Sequence, residues 1–373
     1  MDKRVILAVA GSGKTYHICN NLDPQKKNLI LAFTHENISN ILSELVKAYG
    51  HVPYLTSVMT FDAFKNRFIL KPYEYGILSN YGEDLPKGKG ITMINPPENR
   101  IKKGDVSAKN PLYINQDHIG HYRTNTGYYY CSRLSKLLVK SKLEKENLIV
   151  HAAKQINMFF DFVYIDEFQD YREYDFELLM CFSKYIDNIL LVGDYYQHSV
   201  SGINDSGKPY SKNKKIVTYN DFLKLLSKNH FSIDKDSLNY SRRCSPNVCN
   251  FVRKKLGINI SGNEEKVGNV ISISSKEEAI KIIQNDEITK LVYQKAASYP
   301  FNAVNWSYSK GDTMNKTCVI LTKTTDFIMS ENKGISSVST IVINKLYVAL
   351  TRSISDVYLI SSRLFKQVMD ELN

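Results

Sequence analysis

Residues Arg4 to Ala10 (RVILAVA) read as a short buried strand, and Gly11-Ser12-Gly13-Lys14-Thr15 follows at once. A helix is predicted from there to about Leu22. Strand, glycine loop and helix in that order constrain the chain toward an α/β fold more tightly than any other stretch. The glycines let backbone N–H groups turn inward on β- and γ-phosphates, Lys14 adds a point charge, and the Thr15 hydroxyl can bind Mg²⁺. Ala8 stands where the usual pattern has its first Gly, so the match is A-x4-G-K-T.

A second stretch answers the first. Phe162-Val163-Tyr164-Ile165 suits a buried strand and runs into Asp166-Glu167-Phe168-Gln169-Asp170. An isolated Asp-Glu pair is more often a charged turn. At the end of a strand in an α/β sheet, however, the acids lie at the rim where ligands bind. There one acid can hold a metal while the next handles a water. A third buried strand, Asn188–Val192, ends in Gly193-Asp194-Tyr195-Tyr196-Gln197, which puts Gln197 at a similar rim.

Other strands of the first half are predicted at Asn28–Thr34 and from Ser57 into a helix start at Phe64, with helices at Glu36–Tyr49 and about Glu173–Tyr185. Phe33, Thr34 and His35 sit at one strand end; Thr60, Phe61 and Asp62 sit at another. Such residues can touch a strand of nucleic acid, but by themselves they are ordinary core and cap residues. Helical spacing is predicted over Cys131–Asn147, and a basic loop at Lys208–Lys215. In the second half, strands are predicted at Asn269–Ser274, Lys290–Tyr293, Ala303–Trp306, Thr317–Leu321 and Val357–Ile360, and helices at Lys276–Gln284 and Ile343–Thr351.

The chain has 373 residues and a net charge of +11, enough for two domains and a polyanionic partner. Charge is concentrated between Asn99 and Gln155, where eleven basic and four acidic residues give +7. Tyr113, Tyr122, Tyr128, Tyr129 and Tyr130 share that window. Cations interleaved with aromatics suit single-stranded nucleic acid, and a solvated basic insertion would look the same. Lys71 to about Gly127 has weak periodicity and reads as an insertion. His118 and His121 lack further ligands for a metal. Six scattered cysteines suit reduced thiols, and no apolar run is long enough for a membrane span, so a cytoplasmic protein without a membrane partner is expected.

Taken in order, these pieces resemble superfamily 1 helicases of the UvrD/Rep-like group. The glycine loop is similar to motif I, LAFTHEN to Ia, TFDAF to Ib, IDEFQD to II, VGDYYQ to III, YSRRCS to IV, YSKGDT to V and YVALTR to VI. The resemblance covers most of the chain outside residues 70–155. It implies two RecA-like P-loop NTPase domains with parallel sheets, at 1–235 and 236–373. A small basic insertion, at about 70–155, lies in the first and contacts nucleic acid.

The resemblance also implies residue roles. Ala10, Gly11, Ser12, Gly13, Lys14, Thr15, Gln169, Arg242 and Gly311 would bind the nucleotide. Thr15 and Asp166 would hold Mg²⁺, and Glu167 would be the base that orients the attacking water. Gln197 would couple the γ-phosphate to the strand, and Arg243 and Arg352 would act as arginine fingers. A structural alternative for Arg352 is a cation at a helix C-terminus. Phe33, Thr34, His35, Thr60, Phe61, Arg133, Lys136 and Lys140 are the expected nucleic-acid contacts.

Departures from the family pattern are specific. Few residues precede the first strand, where the family has an adenine-reading glutamine segment. Arg242 stands where it often has an adenine-stacking Tyr, and a guanidinium can stack instead. Ser307 and Thr313 replace a histidine and a glutamate in motif V, and Gly311-x-Thr313 is similar to viral branches. Only 60 residues separate Cys244 from Asn305, too few for the large subdomain of bigger relatives. The expected activity is therefore an ATP- and Mg²⁺-dependent DNA helicase or translocase on single-stranded DNA, moving 3′ to 5′. The alternatives are a nucleic-acid-stimulated ATPase switch that acts on a protein partner such as a nuclease, and a viral-type RNA helicase.

Overall fold

The structure is a computed structural model that describes residues 2–83, 88–103, 106–171, 173–198, 211–212, 215–216, 218–330 and 338–372. Contacts divide the chain into two units. The first comprises Met1–Val5, Thr15–Val192 and Ser201–Ile233; the second comprises Ile6–Lys14, Gly193–Val200 and Asp234–Asn373. The division is not a single cut, because the glycine loop and the segment from Gly193 group with the C-terminal part.

The first sheet contains β1 (Asp2–Leu7), β2 (Asn28–Ala32), β3 (Thr56–Thr60), β4 (Phe162–Asp166), β5 (Asn188–Gly193) and β6 (Ser232–Asp234), in the order β6-β1-β5-β4-β2-β3. The pairs β2–β3, β2–β4 and β4–β5 are parallel. Asp2 N–H donates to Asp187 O at 2.9 Å and Ala8 N–H to Gly193 O at 2.8 Å, so β1 and β5 also run the same way. Leu29, Ile30, Leu31, Val5 and Ile6 are fully buried, as continuous apolar runs in a parallel sheet must be. Thr34 caps the helix His35–Tyr49 by accepting the Asn37 N–H at 3.1 Å. Thr60 does the same for the Ala63 N–H at 3.1 Å.

The insertion is more ordered than its periodicity suggested. The helical course from Phe61 passes through a π stretch at Lys65–Leu70 and continues as Lys71–Ser79, burying Ile69, Leu70, Ile77 and Leu78. Lys65 is fully buried there, 2.7 Å from Asp62, 2.8 Å from Asp175 and 3.1 Å from Ser135 Oγ. Burial alone would lower its pKa; the carboxylates of Asp175 and Asp62 outweigh that and keep the ammonium charged.

The predicted helix over Cys131–Asn147 is corrected. It stops at Lys140, a two-stranded hairpin (Lys142–Leu143 with Glu146–Asn147) follows, and a second helix covers Leu148–Phe159. Glu144 and Lys145 have φ of 50° and 80°, values that reverse the chain in a tight hairpin and that side-chain spacing does not reveal. Residues 211, 212 and 215 of the expected basic loop lie in a short antiparallel ladder; the others lie outside the described residues.

The second sheet contains β7 (Val270–Ile273), β8 (Ile288–Val292), β9 (Ala303–Asn305), β10 (Lys316–Ile320) and β11 (Val357–Ile360) in the order β7-β11-β10-β8-β9, every pair parallel. Side chains alternate between two cores. Val319 and Leu359 join Val248, Val252, Trp306, Leu346 and Tyr347 on one face. Cys318, Ile320 and Ile360 join Ala279, Ile283, Leu364 and Val368 on the other. Helices thus cover both faces: Pro246–Leu256 and Thr340–Leu350 on one, Lys276–Gln284 and Ser362–Leu372 on the other. Val9, Ala10 and Tyr196 pack into the first of these cores. The expected α/β class, parallel sheets and insertion are all present.

Candidate functional site

In the first unit, β4 delivers its acids at its carboxyl end. Asp166 is buried, and its Oδ2 accepts the Thr15 hydroxyl at 2.8 Å. Thr15 is held there by the first turn of the helix Lys14–Asn21. The other oxygen, Oδ1, accepts the Glu167 N–H at 2.9 Å. Glu167 has φ 52° and ψ 42°, the left-handed region, which costs a non-glycine residue about 1–2 kcal/mol. That conformation lets the Glu167 carbonyl accept the Asp170 N–H at 2.9 Å and closes a tight turn over Phe168–Asp170. Gln169 is fully buried and its side-chain amide donates to the Glu167 carboxylate. The two adjacent acids are therefore fixed by different partners, one by a hydroxyl and one by an amide.

The glycine loop belongs by contacts to the second unit. Gly11 and Gly13 have φ of 71° and 86°. A Cβ on Gly11 would lie 2.7 Å from Arg243 Cβ and 2.9 Å from Ser241 Oγ, so no other residue fits. The loop backbone is held on several sides. Val9 N–H donates to Leu238 O at 2.9 Å, Ala10 N–H to the Tyr347 hydroxyl at 2.8 Å, and Arg242 N–H to Gly11 O at 2.9 Å. Ser12 and Lys14 are buried. The Arg242 side chain is exposed.

The two expected fingers differ. Arg243 is half-buried and donates from Nη1 to Thr351 O at 3.2 Å. Arg352 is 1% exposed. It donates from Nε to Val348 O at 2.9 Å and from Nη1 to Ser309 O and Asp312 O at 3.3 and 3.4 Å. Burial, and then the neighbouring Arg243, lower its pKa to about 10. Arg352 thus ties its helix end to the 309–312 turn. Gly311 lies on that turn with φ 95°. Gln197 is buried in the turn Tyr195–Gln197 that follows β5.

Most residues of the expected strand-contact set have partners within the protein. Phe61 is buried, packing on Tyr171 at 4.6 Å between ring centroids, and Phe33 packs on the same ring at 5.9 Å. Thr34 and Thr60 are helix caps, as above. Arg133 donates to His121 O and Pro97 O, both at 2.7 Å, and lies over the rings of Tyr113 and Tyr130. Lys136 lies over Tyr174, and Lys140 reaches Gln116 Oε1 at 3.0 Å. Tyr122, Tyr129 and Tyr130 are buried as the core of the insertion, with the Tyr129 hydroxyl on Glu74 at 2.9 Å. Of the eight, Thr34, His35 and Lys140 are exposed.

Sequence reasoning passed over Asp194 and Tyr347. Both are buried and hydrogen-bonded to each other at 3.1 Å. Their signal was present in VGDYYQ and YVALTR, whose polar residues other than Gln197 and Arg352 were given no role.

Among the described residues no group of three or more His, Cys, Asp or Glu side chains could hold a metal, and no helix is long and apolar enough to cross a membrane. No family model and no curated protein matches the sequence. Among solved structures the chain is similar to a PRRSV helicase (12% identity, TM-score 0.43, covering 98% of this chain and 53% of that one). It is also similar to arterivirus nonstructural protein 10, a helicase, in complex with DNA (11%, 0.46, 96% and 60%) and without it (10%, 0.46, 96% and 59%). The chain thus spans between half and two thirds of the length of those proteins. Likeness at this level carries no functional argument.

Proposed function

We propose that the chain is an NTP hydrolase of superfamily 1 helicase or translocase type, UvrD/Rep-like in its motifs, that acts on single-stranded DNA with ATP and Mg²⁺. The observation that carries this reading is the 2.8 Å contact between Thr15 Oγ1 and Asp166 Oδ2, with Glu167 fixed beside it by Gln169. A hydroxyl and a carboxylate are the hard oxygen donors that Mg²⁺ takes alongside phosphate and water, so these residues fit the ion. When bound, Mg²⁺ neutralises charge on the phosphates. Lys14 and the positive-φ glycines cradle the phosphates, Glu167 orients and deprotonates the attacking water, and Arg243 offsets charge that develops on the transferred group. Arg352 also holds the 309–312 turn, which carries Gly311, on its helix end.

ATP as the preferred nucleotide, 3′ to 5′ movement and a cytoplasmic site of action belong to the same proposal. Measuring ATPase with single-stranded DNA, single-stranded RNA and duplex tests it, followed by displacement on a tailed duplex. Stimulation by single-stranded DNA with displacement is expected; an ATPase indifferent to every polymer would sink the reading, and stronger stimulation by RNA would move it to the RNA-helicase alternative.

A second reading, an ATPase switch that acts on a protein partner without unwinding, is favoured by the insertion, whose Arg133 and tyrosines are engaged with one another. Stimulated ATPase without displacement is its signature.

A further inference from the structure

Tyr347 lies in the helix Thr340–Leu350 and is fully buried. Its hydroxyl stands in a chain of hydrogen bonds whose direction chemistry fixes. The Ala10 N–H can only donate, and it meets the Tyr347 oxygen at 2.8 Å. The Asp194 carboxylate accepts, and its Oδ2 is 3.1 Å from the same oxygen. The phenol therefore accepts from the glycine loop and donates to the segment after β5. Burial pushes its pKa well above the ordinary tyrosine value, so the proton stays in place. Asp194 Oδ1 in turn accepts the Tyr196 N–H at 3.0 Å, and the Tyr196 and Tyr347 rings pack at 6.1 Å.

The same helix holds the arginines. The Thr351 hydroxyl donates to Tyr347 O at 2.8 Å, and Thr351 O accepts Arg243 Nη1 at 3.2 Å. Arg352 Nε donates to Val348 O, one residue beyond Tyr347, at 2.9 Å. Asn344, one turn earlier, donates to His198 O at 3.1 Å. One helix thus grips the loop backbone, the segment 194–198 and both guanidinium groups.

We infer that Tyr347 is a positioning residue that couples the shape of the glycine loop to the placement of Arg243 and Arg352, through a directed hydrogen-bond chain from the Ala10 N–H to the Asp194 carboxylate. The inference rests on the NTP-hydrolase reading above. A loop that changes shape when phosphates are held shifts Ala10, and the hydroxyl makes Asp194 and the helix end follow. By linkage, anything that moves the helix end feeds back on the loop. Both ends of the chain are buried, so losing the hydroxyl removes a partner from groups away from water.

Tyr347→Phe keeps the ring and removes only the hydroxyl. Amide hydrogen exchange in peptides covering residues 6–14 is expected to rise about 10-fold or more, with peptides of β7–β11 unchanged. ATP turnover stimulated by single-stranded DNA is expected to fall about 10- to 100-fold while KM for ATP stays within about 3-fold, so the stimulated-to-basal ratio collapses. Asp194→Asn keeps one acceptor oxygen, which can take the Tyr347 hydroxyl at the cost of the Tyr196 N–H contact, and should hold that ratio within about 3-fold. Asp194→Ala should lose it, and Tyr347→Phe on top should add little. Unchanged exchange at 6–14 overturns the inference. So does an equal fall in basal and stimulated turnover, which marks a merely structural role, or multiplicative losses in the double variant. A wild-type protein that hydrolyses no NTP removes the parent reading and this inference with it; an active wild type matched by Tyr347→Phe removes this inference alone.

Discussion

The glycine loop and the basic insertion both looked like ligand-binding regions in sequence, and the structure treats them in opposite ways. In the loop, spacing fixed the outcome. Gly11 has no room for a Cβ, Thr15 meets Asp166, and the backbone is held from several sides. In the insertion, composition suggested an outward array of cations and aromatics, yet Arg133 caps backbone carbonyls and three tyrosines form the local core. A motif constrains geometry because each residue must stand at a stated place. Composition constrains only the inventory, and this insertion uses Tyr122, Tyr129, Tyr130 and Arg133, beside buried aliphatic residues such as Leu134, Leu137 and Leu138, to hold itself together.

The sharpest test of the first half of that contrast is Glu167→Gln. Turnover should fall by about 10²- to 10⁴-fold with nucleotide binding retained, the range for loss of a positioned general base. Near-normal hydrolysis would remove Glu167 from that role and leave the loop as a binding site only.

Lys65→Met probes the border of the insertion, where the ammonium also meets Ser135 Oγ. It leaves Asp62 and Asp175 without their buried cation and should cost about 3–5 kcal/mol in urea unfolding. A loss under about 1 kcal/mol would show that this ammonium does not hold the π stretch Lys65–Leu70 in place. Acidification probes both units. Burial lowers the pKa of His121 in the insertion and of His198 after β5 to about 4 each. Between the unfolded value of about 6.5 and about 4 the unfolded chain binds more protons, so stability should fall as pH drops through that window and be flat above it. His121→Gln should shallow the fall in unfolding midpoint against pH; an unchanged slope would show that His121 is not held neutral.

Arg133→Ala should lower stability by about 1–3 kcal/mol, through unmade hydrogen bonds to two carbonyls. The salt dependence of strand binding should stay as it is. Lys140→Ala, at an exposed position, should do the reverse, weakening binding and reducing the salt slope by about 1 with little change in stability. If Arg133→Ala flattens the slope and Lys140→Ala does not, the contrast between loop and insertion is wrong.

Sequence carried the elements well where periodicity was simple. The helix Lys276–Gln284 and the strand Val357–Ile360 have the predicted bounds. Strand β4 and its acids stand where the apolar run ends. What stayed hidden depended on backbone sign or on distant partners. The left-handed Glu167 has no marker, since glutamate is an ordinary residue at ordinary positions. Arg352 reads as a finger or a helix-end cation, and only the carbonyls of Ser309 and Asp312, some forty residues back, make it a fastener. Glu144-Lys145 carries none of the Asn-Gly chemistry that marks a tight hairpin, so the helix seemed to continue.

The grouping of residues 6–14 with the second unit has a consequence for how the chain is made. Val9 and Ala10 are made well before Leu346, Leu350 and Leu359, which complete the core that receives them. A growing chain can form the strands of its first sheet early. Its glycine loop keeps a bare apolar face until those distant partners are present. Such a long wait between a segment and its partners slows folding, and it makes any early stop, nick or truncation fall first on the phosphate loop.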